Sequence, residues 1–444
     1  MLRVRLAIQS LIVSAVTGLL ATGTLAEPQA ASAPPATGTP AEPQSASAPP
    51  STTSPVGPKA APLDSALVFY GASRFDDALP LFERAVADSP AHAVARCWLA
   101  ETRRRLGKPG DAVRDARAAL ALDPRSSFAH TILADCYDPM MSGWDGTNAD
   151  SAWVHVRLAT AYDPRNGEAW LSMWKHAVAR GDSAPERESL QALGRIGYFT
   201  PAVLAYNRWQ LEFLPPKAVL LTRGDTDTYP SAMLQAVSGV RADVAVVNLG
   251  LLNWPDYAKA IGRRARLPLP PGIDSSRARR DSVGKETAGL SDRVVSSWAD
   301  SVGRGTLPRP LAVAASAARI GEMPALRRRL TLAGPYYTVA RDTGAASDDV
   351  ARLRTTVAAI DPPAFSGPWV SDLDRSPIRV AGAGGLGGNL LDAALRWGRA
   401  SLEAGDRAGA LAALAKLDSL TAVLGAGEVM RGKIKRLRTA ANRP

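Results

Sequence analysis

The feature that most constrains this chain is a 34-residue register that appears three times in its N-terminal half. In each copy two alanines stand seven residues apart and a proline follows five residues later. The three sets are Ala78, Ala85 and Pro90, then Ala112, Ala119 and Pro124, and, after a short insertion, Ala152, Ala159 and Pro164. Alanines at this spacing share one face of a helix, and the proline ends that helix. A fixed period of this length predicts stacked helix pairs, because one pair alone cannot bury its apolar face.

This pattern of small residues and proline resembles the tetratricopeptide (TPR) repeat, and the resemblance implies an α-solenoid that binds proteins or peptides. Repeats are expected over residues 62–197, with a last pair near 167–195 that keeps Trp170 and Trp174. The first helix of each pair should line an inner groove. The side chains expected to bind a ligand there are Glu101, Arg104, Arg105, Phe128, Asp135 and Lys175. This mixture lacks the Lys/Asn set with which some TPR proteins hold a C-terminal carboxylate, so that ligand class is disfavoured.

Residues 1–26 have the pattern of a secretory signal peptide. Arg3 and Arg5 precede an apolar run at 6–21, and the small residues Thr24 and Ala26 suit cleavage after Ala26. The run is shorter than the roughly 18–20 residues of a membrane span, although an uncleaved inner-membrane anchor at 6–21 is the alternative. Residues 27–61 contain a tandem repeat of Ala, Pro, Ser and Thr, which predicts a disordered tether because no large apolar side chain is available for burial. A periplasmic or secreted protein is therefore expected.

Composition excludes several classes of function. The formal net charge is +11, but the arginines are scattered and no strip of basic and aromatic residues accompanies them. Nucleic acid is therefore not an expected partner. Two cysteines, Cys97 and Cys136, cannot form a disulfide scaffold, and free buried thiols are favoured over a bridge between them. The four histidines have no metal-ligand spacing.

From about residue 217 the periodicity changes to short apolar strands alternating with helices. Strands are predicted at 218–222, 243–248, 310–315 and 336–340, with a further helix near 324–330 and a basic, Pro-rich insertion at 267–290. Continuous apolar strands joined through helices predict parallel pairing. The expected fold class is thus α/β with an α-solenoid. A small parallel α/β layer at 198–345 should be followed by an irregular linker at 346–387, a helical hairpin at 388–425 and a basic tail at 426–444.

One motif in this layer is specific. The matching positions are Gly224, Asp225, Asp227, Thr228, Tyr229, Pro230, Arg241, Asp243, Val244, Asn248, Leu249, Leu252 and Asn253. They resemble a segment of a bacterial family of uncharacterised function, whose multi-span members are related to protein O-mannosyltransferases and carry TPR-like helices in their soluble part. Thr226 departs from the Asn of that family. The multi-span portion, where a transferase site is expected, has no counterpart here, so the resemblance does not imply glycosyl transfer.

The loop at 224–230 is the strongest candidate for chemistry. It follows an apolar strand, where open α/β sheets place ligands, and Asp225 and Asp227 are candidate ligands of a divalent cation. The alternative is structural, with Asp227 or Thr228 capping the next helix and Asp225 accepting turn N–H groups. Gly224 and Thr228 of this loop, with Asn248 and Asn253 beyond the next strand, would complete either a site or a turn network.

The glycines at 382–387 formally match G-x-G-x-x-G, but the pattern around them favours a flexible linker over a dinucleotide site. The sequence therefore predicts an exported TPR scaffold, not an enzyme, which binds an envelope protein or peptide and needs no cofactor. A glycan ligand is left open, and contact with a membrane is expected only through an uncleaved N-terminus. The alternative is a metal-dependent enzyme that processes sugar nucleotides or glycans with Asp225 and Asp227.

Overall fold

A computed structural model describes residues 61–274, 289–318, 325–326, 328–342 and 349–443. The predicted signal peptide, all but the last residue of the predicted tether, much of the basic insertion and the start of the helix predicted near 324–330 lie outside these residues. Among the helices in the described ranges, none combines the length and the apolar character needed to cross a bilayer.

The predicted solenoid is confirmed as four consecutive helix pairs. They are α1 (Ala61–Gly71) with α2 (Phe75–Asp88), α3 (Ala93–Arg105) with α4 (Pro109–Leu122), α5 (Ser127–Tyr137) with α6 (Ala149–Tyr162), and α7 (Gly167–Arg180) with α8 (Ser183–Arg195). The register alanines Ala78, Ala112 and Ala152 are fully buried. Their small size lets the second helix of each pair pack closely against the first, whereas a larger side chain would separate the two helices. Cys97 and Cys136 are buried and free.

A ninth helix leads from the solenoid into the sheet. The elements in order are α9 (Pro201–Glu212), β1 (Val219–Thr222), α10 (Asp225–Ser238), β2 (Ala245–Asn248), α11 (Pro255–Ala265), α12 (Leu290–Arg304), β3 (Leu311–Ala314), α13 (Ala315–Ala318), β4 (Leu330–Leu332) and β5 (Tyr336–Val339). The five strands have the spatial order β2-β1-β3-β5-β4. Every residue of β1 and β3 is buried, as their uninterrupted apolar sequences require.

The sheet is mixed, and the expectation of a wholly parallel layer is wrong at one edge. β1 pairs in parallel with β2 and β3, whereas β5 is antiparallel to both β3 and β4. Residues 333–335 are too few for a crossover between parallel strands, so β4 and β5 form a hairpin. Gly334 makes this turn with φ +121°, and a Cβ there would lie 2.3 Å from Oγ1 of Thr356. Leu330, the expected end of a helix, instead begins β4.

The C-terminal part is more helical than its composition indicates. The segment expected to be an irregular linker contains α14 (Val350–Ala358) and the start of α15 (Pro377–Glu403), which includes the glycines at 382–387. The hairpin partner is α16 (Arg407–Leu424), and the expected basic tail forms α17 (Glu428–Ala441). Ile434, Leu437 and Ala441 of this last helix are buried and explain the difference, because tertiary packing stabilises a helix that its charge-rich sequence alone does not.

Helix α9 connects the C-terminal helices to the rest of the protein. The indole N–H of Trp209 donates to the carbonyl of Thr356 at 2.8 Å, and the amide of Asn389 donates to the hydroxyl of Tyr206 at 3.0 Å. One continuous cluster of buried apolar residues extends from Ala134 in the solenoid to Ala441 in α17. Ala61–Pro444 accordingly forms one compact unit.

Candidate protein-binding groove

The first helices of the four pairs share one face, and the predicted groove residues converge on it. The space between them is lined by Tyr70, Trp98, Glu101, Arg104, Arg105, Phe128, Thr131, Ile132, Asp135, Asn166, Glu168 and Arg375. Its free volume is about 30 Å³, which is room for one or two water molecules. The charged side chains therefore fill most of the floor of this groove themselves.

Glu101 is the centre of the charged floor. Its carboxylate accepts hydrogen bonds from Arg104 and Arg105, with both Nε–O distances at 2.7 Å, and from the hydroxyl of Tyr70 at 3.0 Å. Burial alone would raise the pKa of Glu101, but the two guanidinium groups lower that pKa to about 2. Arg104 also reaches Asp135 at 3.6 Å. The network links α1, α3 and α5, and it fixes their relative positions.

Lys175 continues the network into α7. Its ammonium lies 2.8 Å from the carboxylate of Asp138 and 3.7 Å from that of Asp135, and the side chain is only 5% exposed. Burial opposes the charge of Lys175, but the two carboxylates raise its pKa above the ordinary value. Burial and the nearby ammonium lower the pKa of His176 to about 4, so this imidazole is neutral near pH 7. Lys175 is a buried structural cation and does not face a ligand.

Aromatic rings form the more accessible part of the face. Tyr70 lies 5.2 Å from Phe75 and 5.0 Å from Trp98, and Trp98 lies 4.9 Å from Phe128, all between ring centroids. Trp98 and Phe128 are partly exposed. The guanidinium carbon of Arg375, from the segment before α15, lies 5.2 Å from the ring centroid of Phe128.

Five of the six predicted groove residues line the groove, whereas Lys175 lies buried below it. Glu101 and Asp135 pair with Arg104 and Arg105, Lys175 pairs with Asp138, and only Phe128 presents an accessible ring. Sequence reasoning misses Tyr70, Trp98, Asp138 and Arg375. The position of Trp98 on the predicted first helix of the second repeat is a usable signal, whereas Arg375 reaches the groove only through tertiary structure.

The loop at 224–230 is the turn that starts α10. Gly224 is the N-cap, and the fully buried carboxylate of Asp227 accepts N–H groups from Gly224 at 2.8 Å and Arg223 at 3.3 Å. The hydroxyl of Ser316 donates to the same carboxylate at 2.5 Å. Burial raises the pKa of Asp227 to about 6 despite these donors. Asp227 is the third residue of the helix, and its carboxylate accepts the N–H of the N-cap Gly224, as the third residue of a capping box does, although the glycine has no side chain to return the bond.

The next residues of the motif extend this network. The Thr228 hydroxyl lies 2.7 Å from that of Thr222 and accepts a hydrogen bond from the Asn248 amide at 2.8 Å. Pro230 lies in the second turn of α10. It cannot donate to the carbonyl of Thr226, and the amide of Asn207 in α9 donates to that carbonyl at 2.9 Å instead. The motif residues stabilise the junction of α9, β1 and α10.

The remaining candidates lie at two different places. Asp225 is the first residue of α10 and is partly exposed. Asn253 accepts the N–H of Ser291 at 3.1 Å and so caps α12. Within the described ranges, no three His, Cys, Asp or Glu side chains lie close enough together to hold a metal ion.

A larger cleft of about 350 Å³ lies between α7, α8, α10, α11 and the edge strand β2. Its walls are mainly apolar, with Trp174, Val178, Leu190 and Ile261 among them, and the ion pair of Glu186 with Arg264 at one side. The amide of Gln235 donates to the carbonyl of Val244 at 2.9 Å and covers part of the strand edge.

Comparison with known proteins gives one family match and several structural neighbours. The family described as TMEM260-associated domain 2 matches residues 204–281, which run from α9 past α11. A TPR protein from Thermus thermophilus, TTC0263, is 22% identical, with 49% of this chain and 94% of that chain covered and a TM-score of 0.30. A TPR protein from Parabacteroides merdae is 11% identical, with 87% and 99% covered and a TM-score of 0.29. No curated protein matches the chain. With TM-scores this low, the assignment of the solenoid depends on the helix pairs of the chain itself.

Proposed function

We propose that this protein is an interaction scaffold of the cell envelope, which binds a partner protein or peptide across the shared face of α1, α3, α5 and α7. The observation that carries the proposal is the row of partly exposed rings, Trp98 and Phe128, above an ion-pair network that is already satisfied. Aromatic side chains on a rigid surface are typical binding hot spots, because little conformational entropy is lost when a partner covers them.

The charged floor contributes rigidity more than direct binding. Glu101, Arg104 and Arg105 saturate one another, so a partner would have to break strong charge-assisted bonds to use them. This argues against a ligand recognised mainly through one carboxylate. A segment that covers the rings and makes polar contacts at the rim fits the face better. The envelope location rests on the N-terminal sequence pattern alone.

The enzymatic alternative at Asp225 and Asp227 has less support. A cation would have to displace the hydrogen bonds that Asp227, in a fully buried position, accepts from Arg223, Gly224 and Ser316. Titration with divalent cations tests this alternative independently of the groove.

Capture from envelope extracts with residues 61–444 tests the scaffold. Trp98→Ala and Phe128→Ala should each weaken capture by about 30-fold, the usual loss at a hot spot. Val154→Ala is the matched control, since this apolar residue is 54% exposed and lies on a second helix. Thermal melts establish that each variant is folded. Capture that persists in both ring variants, or that falls equally in the control, contradicts the proposal.

A further inference from the structure

The segment before α15 returns to the solenoid and places one cation on the groove. Arg375 lies over the ring of Phe128 and lines the same space as Glu101 and Glu168. It is contributed by a part of the chain well beyond the repeats, so its presence there is a property of the tertiary fold.

The charges of the face are complementary to this arginine. The carboxylates that line the groove are Glu101, Asp135 and Glu168, and the lining cations besides Arg375 are Arg104 and Arg105. Below them, the buried Lys175 and Asp138 pair with each other, and His176 beside Asp138 is neutral near pH 7 because burial lowers its pKa to about 4. Three lining carboxylates therefore face two lining cations, and Arg375 supplies the third.

A short ordered turn presents Arg375. The N–H of Asp374 donates to the carbonyl of Ser371 at 2.9 Å, and the N–H of Ser376 donates to the Asp374 carboxylate at 2.9 Å. Trp369 at the start of the segment stacks on Phe365, with 6.1 Å between ring centroids. The backbone is held by these contacts, whereas the guanidinium stays exposed and stacks on one ring. The side chain can therefore leave the groove while the turn remains folded.

We propose that Arg375 is an internal occupant of the groove, and that the partner supplies an arginine on an extended segment which takes its place on Phe128. This inference rests on the proposed scaffold function and specifies the chemistry of the partner. Arginine is favoured over lysine because a planar guanidinium stacks on an aromatic face and also donates in a fork to neighbouring carboxylates.

Titration with two defined peptides tests the inference. The probes are acetyl-Gly-Arg-Gly-amide and its lysine counterpart, and the readout is the NMR signal of the Trp98 indole N–H in the native protein and in Arg375→Ala. Removing the internal occupant should tighten binding of the arginine peptide at least about threefold, because an occupied site lowers the apparent affinity. The lysine peptide should bind more weakly in both proteins. Arg354→Ala, which removes an exposed arginine of α14, is the matched control and should bind as the native protein does.

Equal affinity of the arginine peptide for the native protein and for Arg375→Ala would overturn the inference, as would equal binding of both peptides. Arg375→Ala should also capture more of an envelope partner than the native protein. Failure of all capture alongside a positive peptide titration would defeat the scaffold role alone. Ring-dependent capture that Arg375→Ala leaves unchanged would defeat the internal occupant alone.

Discussion

The buried carboxylate of Asp227 gives a prediction whose sign and size follow from its surroundings. Replacing it by Asn keeps an oxygen that can accept the Gly224 N–H but removes the charge. Burial raises the pKa of Asp227 from 3.8 to about 6 in the folded protein. The folded state therefore holds this proton over a pH range in which the unfolded state has lost it.

The linkage has a definite direction. Because the folded pKa lies above the unfolded one, the stabilisation is fully present below pH 3.8 and is lost as the pH rises through about 6. The shift of about two pH units corresponds to about 3 kcal/mol in the free energy of unfolding. Relative to Asp227→Asn, the native protein should thus lose up to about 3 kcal/mol between about pH 4 and pH 7.5.

Urea unfolding at several pH values measures this difference. Other titrating groups are common to both proteins and cancel when the two unfolding free energies are subtracted. Asp145→Asn removes the same charge at an exposed position and serves as the control. A difference between native protein and Asp227→Asn that stays constant across this pH range, or that grows in favour of the native protein as pH rises, would refute the reasoning.

Three other expectations follow from the structure. Gly334→Ala should lower the free energy of unfolding by about 2–4 kcal/mol in urea melts, because φ at this position is positive and a side chain has no room. Gly388→Ala is the control, and it should be neutral or stabilising because this helical position faces open space. Equal effects of the two substitutions would count against the turn described. The Cys97 and Cys136 thiols should react with a disulfide reagent only on unfolding, since burial raises the pKa of both; rapid reaction of the native protein would contradict this. Calorimetric titration with magnesium or manganese should give the same heat for the native protein and for Asp225→Asn. A saturable heat that the native protein shows and the variant lacks would restore the metal-site hypothesis.

The sequence predicts those parts of the fold that depend on local pattern. The alanine register identifies the solenoid because packing of neighbouring helices repeats with the chain. The apolar runs identify β1, β2 and β3 for a similar reason. β5 coincides with the strand predicted at 336–340, whereas β4 escapes prediction because it has only three residues and is only partly buried.

The candidate site is predictable only in composition. Their positions on a predicted helix identify Glu101, Arg104 and Arg105 as groove residues. Which of these charges face a ligand depends on side chains from distant elements, such as Tyr70 and Arg375. Asp227 shows the same limit. Two acidic residues after a strand suit a metal site or a helix cap equally, and the Ser316 hydroxyl that helps to enclose one of them comes 89 residues later.

The contacts of α9 have a consequence for synthesis of the protein. Its hydrogen bonds to Thr356 and Asn389 span 147 and 183 residues, whereas the solenoid helices mostly contact their neighbours in the chain. At roughly 5–20 residues per second, a ribosome needs on the order of ten seconds or more to deliver these partners after α9 has emerged. During that interval the solenoid can already be folded, while the apolar side of α9 stays exposed because the C-terminal segments that pack against it have not yet been synthesised. A nascent chain halted before α14 should therefore be a preferred substrate for chaperones, and truncations in this part of the protein should aggregate sooner than truncations between repeats.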